Sequence, residues 1–148
     1  RAARSGDGFL CTGGIGLDLY AQALERHGKT AEQGKAVLGC WAIIAEDPEA
    51  EAARLGEHIL YQSIEYIRWG AFGPADETPL FEDAAAAIEN GLYELWDADT
   101  AVAKIKALKA DYPMLSDIHF WAQFPGESLE SGSRRMRYIA EQVLPRLR

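Results

Sequence analysis

The chain has 148 residues, 48% of them hydrophobic, which is enough for one globular domain with its own core. Its formal net charge of −8 and pI near 4.9 oppose a phosphate backbone, and no Lys/Arg run offsets them, so nucleic acid is not an expected partner. The longest apolar run, 36–45, falls far short of a membrane span, and the first residues carry no signal-peptide core, so a cytoplasmic protein with no membrane partner is expected.

Residues 1–6 read as the last turn of a helix, with cations at its C-terminal end and Gly6 as its stop. Arg1 rather than Met stands first, so the expectation is a piece of something longer. A short apolar strand over 7–11 follows, then the loop Thr12-Gly13-Gly14-Ile15-Gly16. Leu17, Tyr20, Ala21 and Leu24 have one-face helical spacing, and Gly28 ends that helix. The near-continuous apolar run 36–44 predicts a strand covered on both faces, as in a parallel sheet.

Asp47, Pro48, Glu49 and Glu51 form a helix start, with a side-chain cap, proline in the first turn and acids at the positive dipole end. The same grouping explains these acids without a metal. The helix can run to about Trp69, with Leu60, Ile64 and Ile67 facing inward. A turn-rich loop over 70–79 leads to a helix over 81–90. Asp99 is read as the cap of a helix over 100–111, and Pro113 ends it. A last strand over 117–124, the break Pro125-Gly126 and a helix with Met136, Ile139, Ala140, Val143 and Leu147 on one stripe complete the order. Strands alternating with helices predict α/β architecture with parallel crossovers. Such folds place their chemistry in the loop after each strand, so residues 123–128 are the first candidates.

Several stretches together resemble the luciferase-like, flavin-dependent monooxygenases. They are Ala2-Ala-Arg-Ser-Gly-Asp-Gly-Phe-Leu10, the helix over 17–28, Ala45-Glu-Asp-Pro-Glu-Ala-Glu-Ala52, the helix over 97–108, and Phe124-Pro-Gly126 through Ala140-Glu-Gln-Val-Leu-Pro145. Residues 70–95 carry no matching motif. The resemblance implies a (β/α)8 TIM barrel of which this chain is the C-terminal part, supplying the last three parallel strands with their helices. A whole barrel takes about 250 residues. The family's Gly-Gly-Ser-type phosphate loop would precede Arg1.

It further implies reduced FMN, or in some members the deazaflavin F420, as cofactor, and a small organic substrate. On that mapping Leu10, Cys11, Thr12, Gly13 and Gly14 line the flavin; read alone, 12–16 is a flexible turn. Trp121, Gln123 and Phe124 contact cofactor or substrate, with Phe120 and Phe124 on one face and Trp121 and Gln123 on the other; the alternative is aromatic packing. His119 shares the Trp121 face but sits deeper, as a core histidine. Arg134, Arg135 and Arg137 fall in the first turns of the last helix, against its dipole, which marks Arg134 as a possible anion contact or as the partner of a neighbouring carboxylate. His27 and His58 read as surface residues. No Ser/His/Asp or Cys/His arrangement and no metal set is readable, and Cys11 and Cys40 read as reduced thiols. Two other readings stay open: an F420-dependent reductase of the same fold, and a silent partial-barrel module. The module would leave an unpaired edge on the first strand that favours a homodimer.

Overall fold

The structure, a computed structural model, describes residues 1–121 and 123–148, and these fall into two compact units. One unit comprises residues 1–41 and 102–120. It contains α1 (Ala2–Ser5), β1 (Phe9–Thr12), α2 (Leu17–Arg26), a 3₁₀ turn (Ala31–Gln33), β2 (Ala36–Cys40), most of α6 (Ala98–Asp111) and β5 (Leu115–Phe120). The strands form a parallel sheet in the order β1-β2-β5. Its core is Ala3, Cys11, Leu17, Tyr20, Leu24, Ala36, Leu38, Met114 and Leu115, with Leu17, Tyr20 and Leu24 brought together by the 3.6-residue period of α2.

Tyr20 ties the sheet's entry together. Its hydroxyl donates to the Asp7 carbonyl (3.2 Å) and accepts from the Lys35 N–H (3.3 Å), while its ring stacks on Phe9 at 5.3 Å. Gly34 lets the chain pass beneath α2: a Cβ there would come within 2.5 Å of Leu24 and 3.0 Å of Met114.

The register sets Leu10 beside Val37 and Asp117, and Thr12 beside Gly39 and His119. Leu10, Thr12, Asp117 and His119 are exposed, and Val37 and Gly39 are half-buried. One face of this parallel sheet is therefore uncovered within the unit. The expectation of two covered faces is corrected, since 36–40 alternates between buried and half-buried. His119, expected in a core, lies on the open face.

The second unit comprises residues 42–101 and 121–148. It holds β3 (Ala42–Ile44), α3 (Pro48–Arg54), α4 (Gly56–Arg68), α5 (Ala84–Glu89), β4 (Glu94–Trp96) and α7 (Leu129–Tyr138), which continues as a π turn (Ile139–Val143) and a 3₁₀ turn (Leu144–Arg146). β3 and β4 pair in parallel. The single strand expected over 36–44 is thus two, divided at Trp41. β4 was not expected, because its three residues are too short for a period to register.

The helix expected from Asp47 to Trp69 is also two. Asp47 caps α3 as expected, its carboxylate accepting from the Ala50 N–H at 2.9 Å. At Leu55 the backbone turns (φ −87°, ψ −1°) and carries that side chain into the core, and Gly56, a poor helix former, follows. Ile59, Gln62, Ser63 and Ile67 are the buried residues of α4, while Leu60 and Ile64 are half-buried. Asp97, not Asp99, caps α6, accepting from the Thr100 N–H at 2.8 Å. In α7 the buried residues are Ser131, Gly132 and Arg135, and Met136 is half exposed. The expected inward stripe fails because a buried ion pair occupies that face, and only Val143 of the π turn returns to the interior.

Candidate functional site: the loop after the last strand

β5 ends at Phe120, so Trp121, Gln123 and Phe124 lie in the following loop and the expected alternation of faces stops there. Phe124 is 3% exposed. Its ring packs on Tyr93 at 5.7 Å, and the Arg135 guanidinium lies 5.6 Å from the same ring. Trp121 meets Tyr66 edge-on at 6.4 Å, and Tyr66 in turn meets Trp69 at 5.3 Å. Trp121, Gln123, Phe124, Pro125 and Gly126 thereby join Gln62, Tyr66 and Trp69 in lining one groove of about 470 Å³. The three candidates from this loop are brought together.

Glu127 fixes the loop. Its carboxylate accepts from the Phe124 N–H (3.0 Å) and takes both terminal nitrogens of Arg135 (2.5 and 2.6 Å), a bidentate pair. Its carbonyl accepts from the Gln123 side-chain amide at 2.8 Å. Arg135 also donates to Glu51 at 2.8 Å, and Arg54 bridges Glu51 and Ser131. Burial alone would raise the Glu127 carboxyl, but Arg135, the Ser131 hydroxyl and the Phe124 N–H outweigh it and hold the pKa at about 2. Arg135 is driven upward by the same two carboxylates despite its own burial. His58 braces the loop from α4, with Nδ1 3.1 Å from the Pro125 carbonyl. Its surface assignment is corrected: it is half-buried against this loop.

Gln62, Tyr66 and Trp69 escaped the sequence reading, as did the particular pairing of Glu127, inside the expected 123–128 loop, with Arg135, one of the three arginines for which a neighbouring carboxylate was the alternative partner. A signal existed for three of them, because 62, 66 and 69 stand at helical one-face spacing, continuing the His58 stripe. Glu127 and Arg135 stand eight apart, outside any local pairing rule.

The remaining candidates lie elsewhere. In the first unit Leu10 is 72% exposed on the open sheet face, with Thr12 beside it, while Cys11 points into the core and donates to the Val37 carbonyl at 3.8 Å. Burial pushes its thiol pKa up, so Cys11 stays protonated and anchors the strand. Gly13 and Gly14 take positive φ (61° and 77°) and are exposed or half-buried, with the Gly13 N–H donating to the Gly39 carbonyl. Arg134 sits in the second unit in a groove of about 460 Å³ that Arg54 and Arg137 share with Glu46, Glu51 and Glu141. α7 begins at Leu129, so the three arginines lie in its later turns, Arg135 and Arg137 in the last, and the expected conflict with the dipole does not exist. Among the described residues no cluster of His, Cys, Asp or Glu forms a metal site, and no helix is long and apolar enough to cross a membrane.

No protein-family model matches the chain, and no curated protein matches it. Solved structures do. Monooxygenase RslO1 from Streptomyces bottropensis matches 97% of this chain at 20% identity and a TM-score of 0.58, over 43% of its own length. The oxygenating constituent of 3,6-diketocamphane monooxygenase from the CAM plasmid of Pseudomonas putida is a type II Baeyer–Villiger monooxygenase solved in complex with FMN. It matches 99% of this chain at 14% identity and a TM-score of 0.60, over 44% of its own length. The fold is therefore mixed α/β with parallel strands, corresponding to part of a TIM-type barrel. The chain spans less than half the length of these structures.

Proposed function

We propose that these residues form the C-terminal part of one luciferase-like barrel domain, a flavin-dependent oxidoreductase of the monooxygenase kind acting on a small organic substrate. FMN is the cofactor we favour. The observation that carries this reading is the likeness to two monooxygenases over almost the whole chain. The uncovered sheet face supports it, because a parallel sheet is stable when both faces are covered.

The residues present fit a flat ring. On the open face Gly39 has no side chain, and it lies between Thr12 and His119 in register, with Leu10 and Val37 next along the strands. Leu10 offers an apolar surface and Thr12 a hydroxyl, while Gly13 and Gly14 leave their backbone accessible. We assign these four to the flavin, with Cys11 fixing the strand from behind. Flavin, when bound, supplies the oxidation–reduction chemistry. The chain's own part is to hold and orient. Separately, the loop after β5 presents Trp121 and Gln123 to a substrate, with Phe124 as the floor of their groove. Glu127 and Arg135 keep that loop in one geometry.

FMN and F420 titrated separately into the protein, followed by the cofactor's visible absorbance and fluorescence, test the reading. Saturable binding of FMN that weakens about tenfold in Leu10→Asp is the expected result. Binding of F420 alone would replace the monooxygenase reading with a reductase of the same fold, and binding of neither would remove both for this chain.

A further inference from the structure

Gln62 is 5% exposed, and its side chain lines the groove beside Tyr66, Trp69 and Trp121. Among the described residues nothing hydrogen-bonds its amide, whereas its neighbour Ser63 is satisfied by the Ile59 carbonyl at 2.7 Å. An amide without a protein partner in a groove open to water is free to pair with a bound group, which then takes the place of that water. The walls say what carries that group. Trp69 is 71% exposed and Trp121 43% exposed, so aromatic surface is open to a ligand. None of the lining side chains is charged, and the nearby Glu127 and Arg135 are locked on each other. At about 470 Å³ the groove has the size of a small-molecule site rather than of a protein interface.

We infer that this groove takes a neutral, flat aromatic compound whose carbonyl or hydroxyl group hydrogen-bonds the amide of Gln62. Naming that compound as the substrate rests on the function proposed above; its binding does not. Gln62 is then the specificity-determining residue, and Trp69 and Trp121 provide stacking surface.

Three probes separate the terms: 2-naphthol, naphthalene without the hydroxyl, and 2-decalol without the aromatic rings. Affinities come from calorimetry, and the location from NMR shifts of the Trp69 and Trp121 indole N–H and the Gln62 amide. The expected result is that 2-naphthol moves all three resonances and binds about tenfold tighter than naphthalene, the worth of one hydrogen bond. Gln62→Leu should erase that ratio while leaving naphthalene binding intact. If Gln62→Leu does not fold, Trp69→Leu at its exposed position should weaken 2-naphthol about tenfold and 2-decalol little. Equal affinity for 2-naphthol and naphthalene, or preference for 2-decalol, would overturn the inference. FMN titrated into the same samples keeps the readings apart: 2-naphthol binding without FMN uptake upholds the ligand class and removes the flavin reading, and FMN uptake without 2-naphthol binding does the reverse.

Discussion

Glu127 shows how much one carboxylate decides in this chain. It is buried, carries a bidentate arginine and holds the backbone of the loop that lines the aromatic groove. Replacing it by glutamine removes the charge that pairs bidentately with the buried Arg135, and a broken buried pair costs about 3 kcal/mol. Urea unfolding of Glu127→Gln should show that loss. The acid branch follows from the same group. Its folded pKa of about 2 lies below the ordinary 4.5, so its contribution is complete above pH 4.5 and disappears as pH falls toward 2. Unfolding midpoints measured from pH 6 to 3 should therefore drop more steeply for the wild-type chain than for Glu127→Gln. Gly34 is a second decisive residue, for reasons of space. Gly34→Ala drives a methyl onto Leu24 and Met114, and a loss of about 1–3 kcal/mol by thermal denaturation is expected.

Among the elements, the cap at Asp47 was legible, and the other caps and the helix lengths were not. Asp47, Asp83, Asp97 and Ser128 each accept the N–H three residues on, a geometry that their residue types allow but that only Asp47, followed by Pro48 and two acids, announced in the sequence. Asp47→Ala should cost about 1 kcal/mol in urea unfolding, and Asp47→Asn much less, since the amide oxygen can still cap. Helix continuity is another matter. The apolar spacing from 47 to 69 suits one helix, yet burying Leu55 rewards a turn there. α7 has the opposite history: its apolar residues predicted an inward stripe, and a pair formed with Glu127 and Glu51 turned the Arg135 face inward instead. The strand β4 exists because β3 offers it a partner, which no window of three residues can reveal.

At the scale of the whole molecule, the open face of the β1-β2-β5 sheet is the dominant fact. Leu10 lies on it with most of its surface in water, and β1 and β5 are both edge strands. Exposed apolar surface of this kind binds other apolar surface. The chain should take up a hydrophobic dye such as ANS at neutral pH and associate with rising concentration in sedimentation. Leu10→Lys should reduce both by several-fold without lowering the helix content seen by circular dichroism. An unchanged dye signal in Leu10→Lys would place the apolar surface elsewhere. A parallel arrangement was readable from the alternation of strands and helices; which face lies open was not, because 36–44 reads as uniformly apolar.

What the amino-acid order determined by itself was local: the helix start at Asp47, where glycine and proline break the chain, that the strands run parallel, and that the loop after the last strand is a candidate site. Trp121, Gln123 and Phe124 were legible because strand ends in such folds gather functional groups. Tertiary structure alone decided their company. Gln62, Tyr66 and Trp69 reach them from α4, more than fifty positions earlier, and Glu127 meets Arg54 and Arg135, which also hold Glu51, through contacts that only folding brings within hydrogen-bond reach. The reason is physical: caps and breaks depend on neighbours a turn away, whereas a groove and a buried ion pair are properties of side chains that meet across elements.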